Sequence, residues 1–234
     1  MTGTVSTQGF QRIWQSLLVQ LICQVLLLAG LVVSDAVASV TGSYDMGHGT
    51  ALVFTTIAFV ARMVAWVEIV SVVGDLKGVS VHFGRASCWY LVSFCLTFAY
   101  FVTHSVASTL EATGVASLVL QSADQVVATL KDVTPLIALA QLAGGFAEYL
   151  DSLGEPVRRH KSLLRLRTFL MWIALLEAVL SIPTVLLGAL APDSMVYGAL
   201  SLILALVYVS GFFAQAVGTA KARSIWKTIE EVLG

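Results

Sequence analysis

Arg62 stands in the middle of the apolar run Ala51–Val73. If that run crosses a bilayer, the guanidinium lies near its centre, where an arginine costs at least about 2.5–3.5 kcal/mol. Such a charge must face other helices and find a partner. Counting depth at about 1.5 Å per residue, Glu177 in the run Thr168–Leu190 falls at nearly the same level, and Gln24 and Gln141 reach the same layer. Arg62, Glu177, Gln24 and Gln141 are therefore the candidate midplane site. Two kinds of chemistry fit it. One is a buried ion pair that fixes helix packing, with the glutamines filling hydrogen bonds. The other is a path for an ion or small solute, since transporters place their sites near the midplane.

Other polar residues flank this layer. Glu68 and Glu148 lie near the ends of their runs, where they would line a vestibule or reach the headgroups. His104 follows Tyr100 by four residues, so the two share a helix face. With Asp45 and His48 of an earlier loop they make a candidate outer mouth for a cation or proton. Asp45-Met46-Gly47-His48 is too generic to be a metal motif. Arg158-Arg159-His160-Lys161, continued by Arg165 and Arg167, is the one charge run. Clusters of this kind attract anionic headgroups at about 1 kcal/mol per basic residue.

Several chemistries are excluded. No lysine sits inside an apolar run, so a retinal Schiff base has no anchor. His104 is the one histidine expected within a span, which leaves paired-histidine haem ligation unsupported. There is no phosphate-binding glycine loop, no nucleophile elbow and no H-E-x-x-H. No cofactor or metal is expected, and an enzyme is the least favoured class. The three cysteines, Cys23, Cys88 and Cys95, all fall in apolar runs and read as small buried hydrophobes. With a net charge of −1 the chain has no field to recruit nucleic acid.

The elements that position these residues follow from composition. Of the 234 residues, 58% are hydrophobic and 12% charged. A soluble domain has about twice that share of charge, so lipid must cover this chain. The expected fold is an all-α, polytopic integral membrane bundle forming one membrane domain. Its six spans are 17–38, 51–73, 88–110, 133–150, 168–190 and 197–220, each near the roughly 20 residues that a crossing needs. Thr113–Leu130 mixes Val115, Leu118 and Val126 with Gln121, Asp124 and Gln125, which predicts a separate amphipathic helix on the outer interface. Of the 13 Lys and Arg, all but Arg62 and Lys131 fall on one side of this arrangement. The positive-inside rule then places both termini and the loop 152–167 in the cytoplasm. Small residues repeat every four positions at Gly30/Ser34/Ala38, Ala140/Gly144 and Ser210/Ala214/Gly218/Ala222, marking close helix contacts within or between chains. Two functional classes lead. One is a small-solute or ion transporter or channel. The other is a non-catalytic subunit of a membrane complex, with a second copy or another membrane protein as partner.

Overall fold

In a computed structural model the chain is described at residues 7–109, 115–154 and 157–233. These residues form six α-helices: α1 (Thr7–Thr41), α2 (Tyr44–Asp75), α3 (Val81–Thr109), α4 (Val115–Ser152), α5 (Val157–Leu190) and α6 (Met195–Leu233). One 3-10 turn, Leu76–Gly78, joins α2 to α3. All six helices are long and apolar enough to cross a membrane. Leu28, Val32, Leu52, Val60, Leu186 and Leu206 are each more than half exposed. Lipid, not water, is the solvent that such outward faces fit.

The turns are built by residues chosen for them. Gly42 and Gly154 end α1 and α4 with φ of 65° and 73°, a left-handed conformation that favours glycine. Between α5 and α6, the Ser194 N–H donates to the Ala191 carbonyl at 3.1 Å, with Pro192 in the second turn position. Ser194 then caps α6 by accepting the Tyr197 N–H at 3.1 Å.

Thr113–Leu130 is not a separate interfacial helix. Thr113 and Gly114 lie outside the described residues, and from Val115 the stretch is the first part of α4, which continues to Ser152. No glycine separates Leu130 from Val133, and Pro135 is accommodated inside the helix instead of starting it. The proline removes one backbone bond and leaves the rest of the ladder standing. At 38 residues α4 is about 57 Å long. That exceeds about 30 Å of hydrocarbon, so its polar start adds length without adding a crossing.

Each expected span falls inside one helix, although Leu110 lies outside the described residues. The helices outrun the expected spans, and α3 starts at Val81 and not near Cys88. His82 therefore lies within a helix, and Tyr90 is buried. Cys88 and Cys95 are exposed on α3, so of the three cysteines only Cys23 is the buried hydrophobe expected.

The chain divides into two compact units, Met1–Val72 with Thr219–Gly234, and Val73–Gly218. In the first, a Cβ on Gly30 would sit 2.6 Å from the Phe54 Cβ, and the Ser34 hydroxyl donates to the Gly47 carbonyl at 2.8 Å. The small-residue stripe of α1 is thus spent on α2. Trp14 stacks on Trp226 at 5.5 Å, with the Arg223 guanidinium 5.3 Å from the Trp14 ring. Alanine normally favours a helix over glycine by up to about 1 kcal/mol. We expect the opposite sign at Gly30: Gly30→Ala should cost about 1–3 kcal/mol by overpacking. Gly49→Ala, where a Cβ meets nothing within 4 Å, should cost nothing. Thermal melts in detergent check the contrast.

In the second unit α4 packs between α3 and α5. Ala138, Ala140, Ala143 and Ala147 are buried along it, so neighbours approach from more than one side. A Cβ on Gly218 would lie 2.8 Å from the Leu139 side chain, and Ala214 is buried as well. These stripes, too, are used inside the chain.

Candidate functional site

One face of α4 carries Gln141, Gly144, Gly145 and Glu148, spaced three, four and seven residues apart. The two glycines leave room for the start of α3. The His82 ring lies where a Cβ on Gly144 would be 3.1 Å away, and Phe83 lies 2.8 Å from the Cβ position of Gly145. Ser80 is the N-cap of α3, its Oγ accepting the His82 N–H at 3.0 Å. The same hydroxyl donates to Glu148 Oε2. His82 Nδ1 is 2.8 Å from Gln141 Oε1. Its Nε2 is 3.3 Å from Glu148 Oε1 and 3.3 Å from Arg167 Nη1 of α5.

Three expected site residues thus meet around a fourth that sequence reasoning missed. Gln141 was assigned to the midplane, Glu148 to a vestibule and Arg167 to the headgroups. His82 gathers all three. It was overlooked because it precedes the apolar run at Cys88. The clue was Ser80, a capping residue placed to start a helix earlier. Arg167 therefore turns inward, whereas Arg159, Lys161 and Arg165 are exposed.

A second polar group occupies the same unit nearer the start of α4. Glu177 of α5 is 1% exposed, and its Oε1 accepts no hydrogen bond among the described residues. Lys131 and Asp132 of α4 are close enough to act on it electrostatically. So is the Tyr208 hydroxyl of α6, which hydrogen-bonds the Ser181 side chain. Lys131 pairs with Asp132 at 2.7 Å and lies 4.7 Å over the Tyr100 ring. Thr103 donates to Asp124 at 3.1 Å. Tyr100, an expected outer-mouth residue, therefore belongs to the Glu177 group.

Between the two groups runs a polar stripe. Tyr90, Ser93, Thr97 and Tyr100 recur at helical spacing on α3, and the Ser93 and Thr134 hydroxyls bond at 2.9 Å in the interior. Thr97 is buried with its hydroxyl unpartnered among the described residues. The spacing was visible in the sequence, but hydroxyls within an apolar run carry no orientation until the neighbour is known.

The remaining candidates sit elsewhere. Arg62 is 7% exposed in the first unit, with its guanidinium 5.7 Å from the Trp66 ring centroid. Glu177 belongs to the second unit. Gln24 is half-buried on α1, while Gln20, one turn before it, is fully buried. Glu68 forms an exposed ion pair with Arg12 at 3.6 Å, a contact of about 0–1 kcal/mol. The side chains of Asp45, His48, His104 and Arg158 lie outside the described residues. Among the described residues no three His, Cys, Asp or Glu side chains converge as metal ligands. No family model, no curated protein and no solved structure matches this chain.

Proposed function

We propose that this chain moves an ion or small solute across the membrane along the polar interior of its second unit. The observation that carries the reading is Glu177, a carboxyl buried to 1% exposure with one oxygen unpartnered among the described residues. Leaving an ionised carboxylate in that condition costs several kcal/mol. A proton or a transported cation is the partner that completes it. The hydroxyls of Ser93, Thr97 and Thr134 supply a polar lining beyond it. The test is flux of H⁺, Na⁺ and K⁺ in reconstituted vesicles, comparing the protein with Glu177→Gln. The rival reading, an assembly subunit, drew on small-residue stripes, and Gly30, Gly144 and Gly218 of those stripes are occupied by contacts within the chain.

The orientation belongs to the same proposal. The termini and the basic start of α5 face the cytoplasm, where Arg159, Lys161 and Arg165 meet anionic headgroups. In a background with Cys23, Cys88 and Cys95 replaced by alanine, an impermeant thiol reagent should label Asp193→Cys from outside intact cells. It should leave the exposed position Lys161→Cys unlabelled. The reverse pattern inverts the topology.

A further inference from the structure

His82 faces two groups of opposite charge through a single nitrogen. Gln141 Oε1, at 2.8 Å from Nδ1, is an acceptor, so Nδ1 carries a proton in either charge state of the ring. The Nε2 atom then has two alternatives. Without a proton its lone pair accepts from Arg167 Nη1, and with one it donates to Glu148 Oε1, each at 3.3 Å. The ring is 13% exposed, whereas the Glu148 side chain is 53% exposed and lies near the end of α4. Glu148 therefore links a mostly buried base to the solvent or headgroup layer.

We propose that His82 is a proton-binding site at the basic end of the second unit, where uptake of one proton exchanges its α5 partner, Arg167, for its α4 partner, Glu148. The proton comes from water by way of the Glu148 carboxylate and ends on Nε2, with no other reactant consumed. The charged groups around the ring are Glu148 on α4 and Arg167 on α5. Lys77 of the 3-10 turn lies beside Gly84, and His160 of α5 is held by the Ala147 carbonyl at 3.0 Å. Histidine is the side chain whose charge ordinarily changes between about pH 5 and 8. The exchange alters how the first turn of α3 is tied down, since Ser80 and His82 both attach there. The proposal stands on this geometry and is independent of whether Glu177 carries a transported ion.

The experiment is nitrogen NMR of the full chain labelled with ¹⁵N-histidine in nanodiscs. The chain has four histidines, and the His82 signals are those lost in His82→Gln. The neutral ring should be the Nδ1–H tautomer, the minor form of free histidine, and acidification should yield the imidazolium. At a fixed intermediate pH, Glu148→Gln should lower the ratio of charged to neutral ring by about three- to tenfold. Arg167→Gln should raise that ratio by a similar factor. Unchanged signals from the other histidines report that the variants are folded. An Nε2–H tautomer, a ring that stays neutral throughout the acid range in which the protein remains folded, or both variants moving the ratio the same way would overturn the proposal.

Discussion

Glu177→Gln is expected to reduce ion flux by at least about tenfold while leaving the melting temperature unchanged or higher. The amide keeps the shape of the carboxyl and loses its charge. Glu177 is 1% exposed and its Oε1 is unpartnered among the described residues, so the charge is a burden on the folded state unless something neutralises it. Removing a buried, uncompensated charge relieves that cost. If the neutralising partner is a transiting proton or cation, the same substitution deletes its binding group. A tenfold loss corresponds to about 1.4 kcal/mol, modest beside the interaction of a carboxylate with a cation at low dielectric. The combination of a stable fold with lost flux distinguishes a binding group from a packing group. Wild-type flux in the glutamine variant would sink the transport reading, and lost flux with a lower melting temperature would show that Glu177 serves the fold.

Gly145→Val should destabilise the protein by about 1–3 kcal/mol and pull His82 away from Gln141 and Glu148. A Cβ at Gly145 would stand 2.8 Å from the Phe83 ring. That ring is fully buried and meets Phe146 edge to face at 5.8 Å, so it has no open direction in which to yield. The strain must move α3 off α4. Phe83 adjoins His82, so the same displacement lengthens the bond to Gln141. A thermal melt reads the first effect and the His82 nitrogen spectrum the second. Gly145→Ala combined with Phe83→Leu should recover most of the loss, because a smaller side chain then faces the added methyl. A Gly145→Val protein with an unchanged melt would show that the two helices do not approach as closely as the glycine implies.

Much of the architecture was legible without coordinates, and the reason is the solvent. Hydrocarbon demands that each crossing be apolar over about 20 residues and satisfy its backbone internally. The runs Leu17–Ala38, Ala51–Val73 and Tyr197–Ala220 could hardly be anything other than helices, and the bounds of α1, α2 and α6 enclose them. Glycine and proline likewise stand where α4 ends, at Gly154, and in the turn Ala191–Ser194, because few residues take those conformations. Where helices begin was harder to read. Apolar length reports hydrocarbon thickness and not helix length, so the polar first turns of α3 and the polar start of α4 were invisible to it. That error hid His82 and split α4 in two.

The candidate site depended on tertiary structure for a further reason. Depth along a helix can be counted, and on that basis Gln141 and Glu177 were assigned to one layer and Glu148 to another. Direction around the helix cannot be counted until the neighbour is known. Gln141, Glu148 and Arg167 became one group only because Gly144 and Gly145 admit the start of α3 to that face of α4. Glu177 acquired Lys131, Asp132 and Tyr208 as neighbours only through the packing of α4, α5 and α6. The residue types and their depths were determined by the sequence itself, since each is a local property. The partner that each polar group meets was decided by helix rotation and close approach, which arise only when the helices pack.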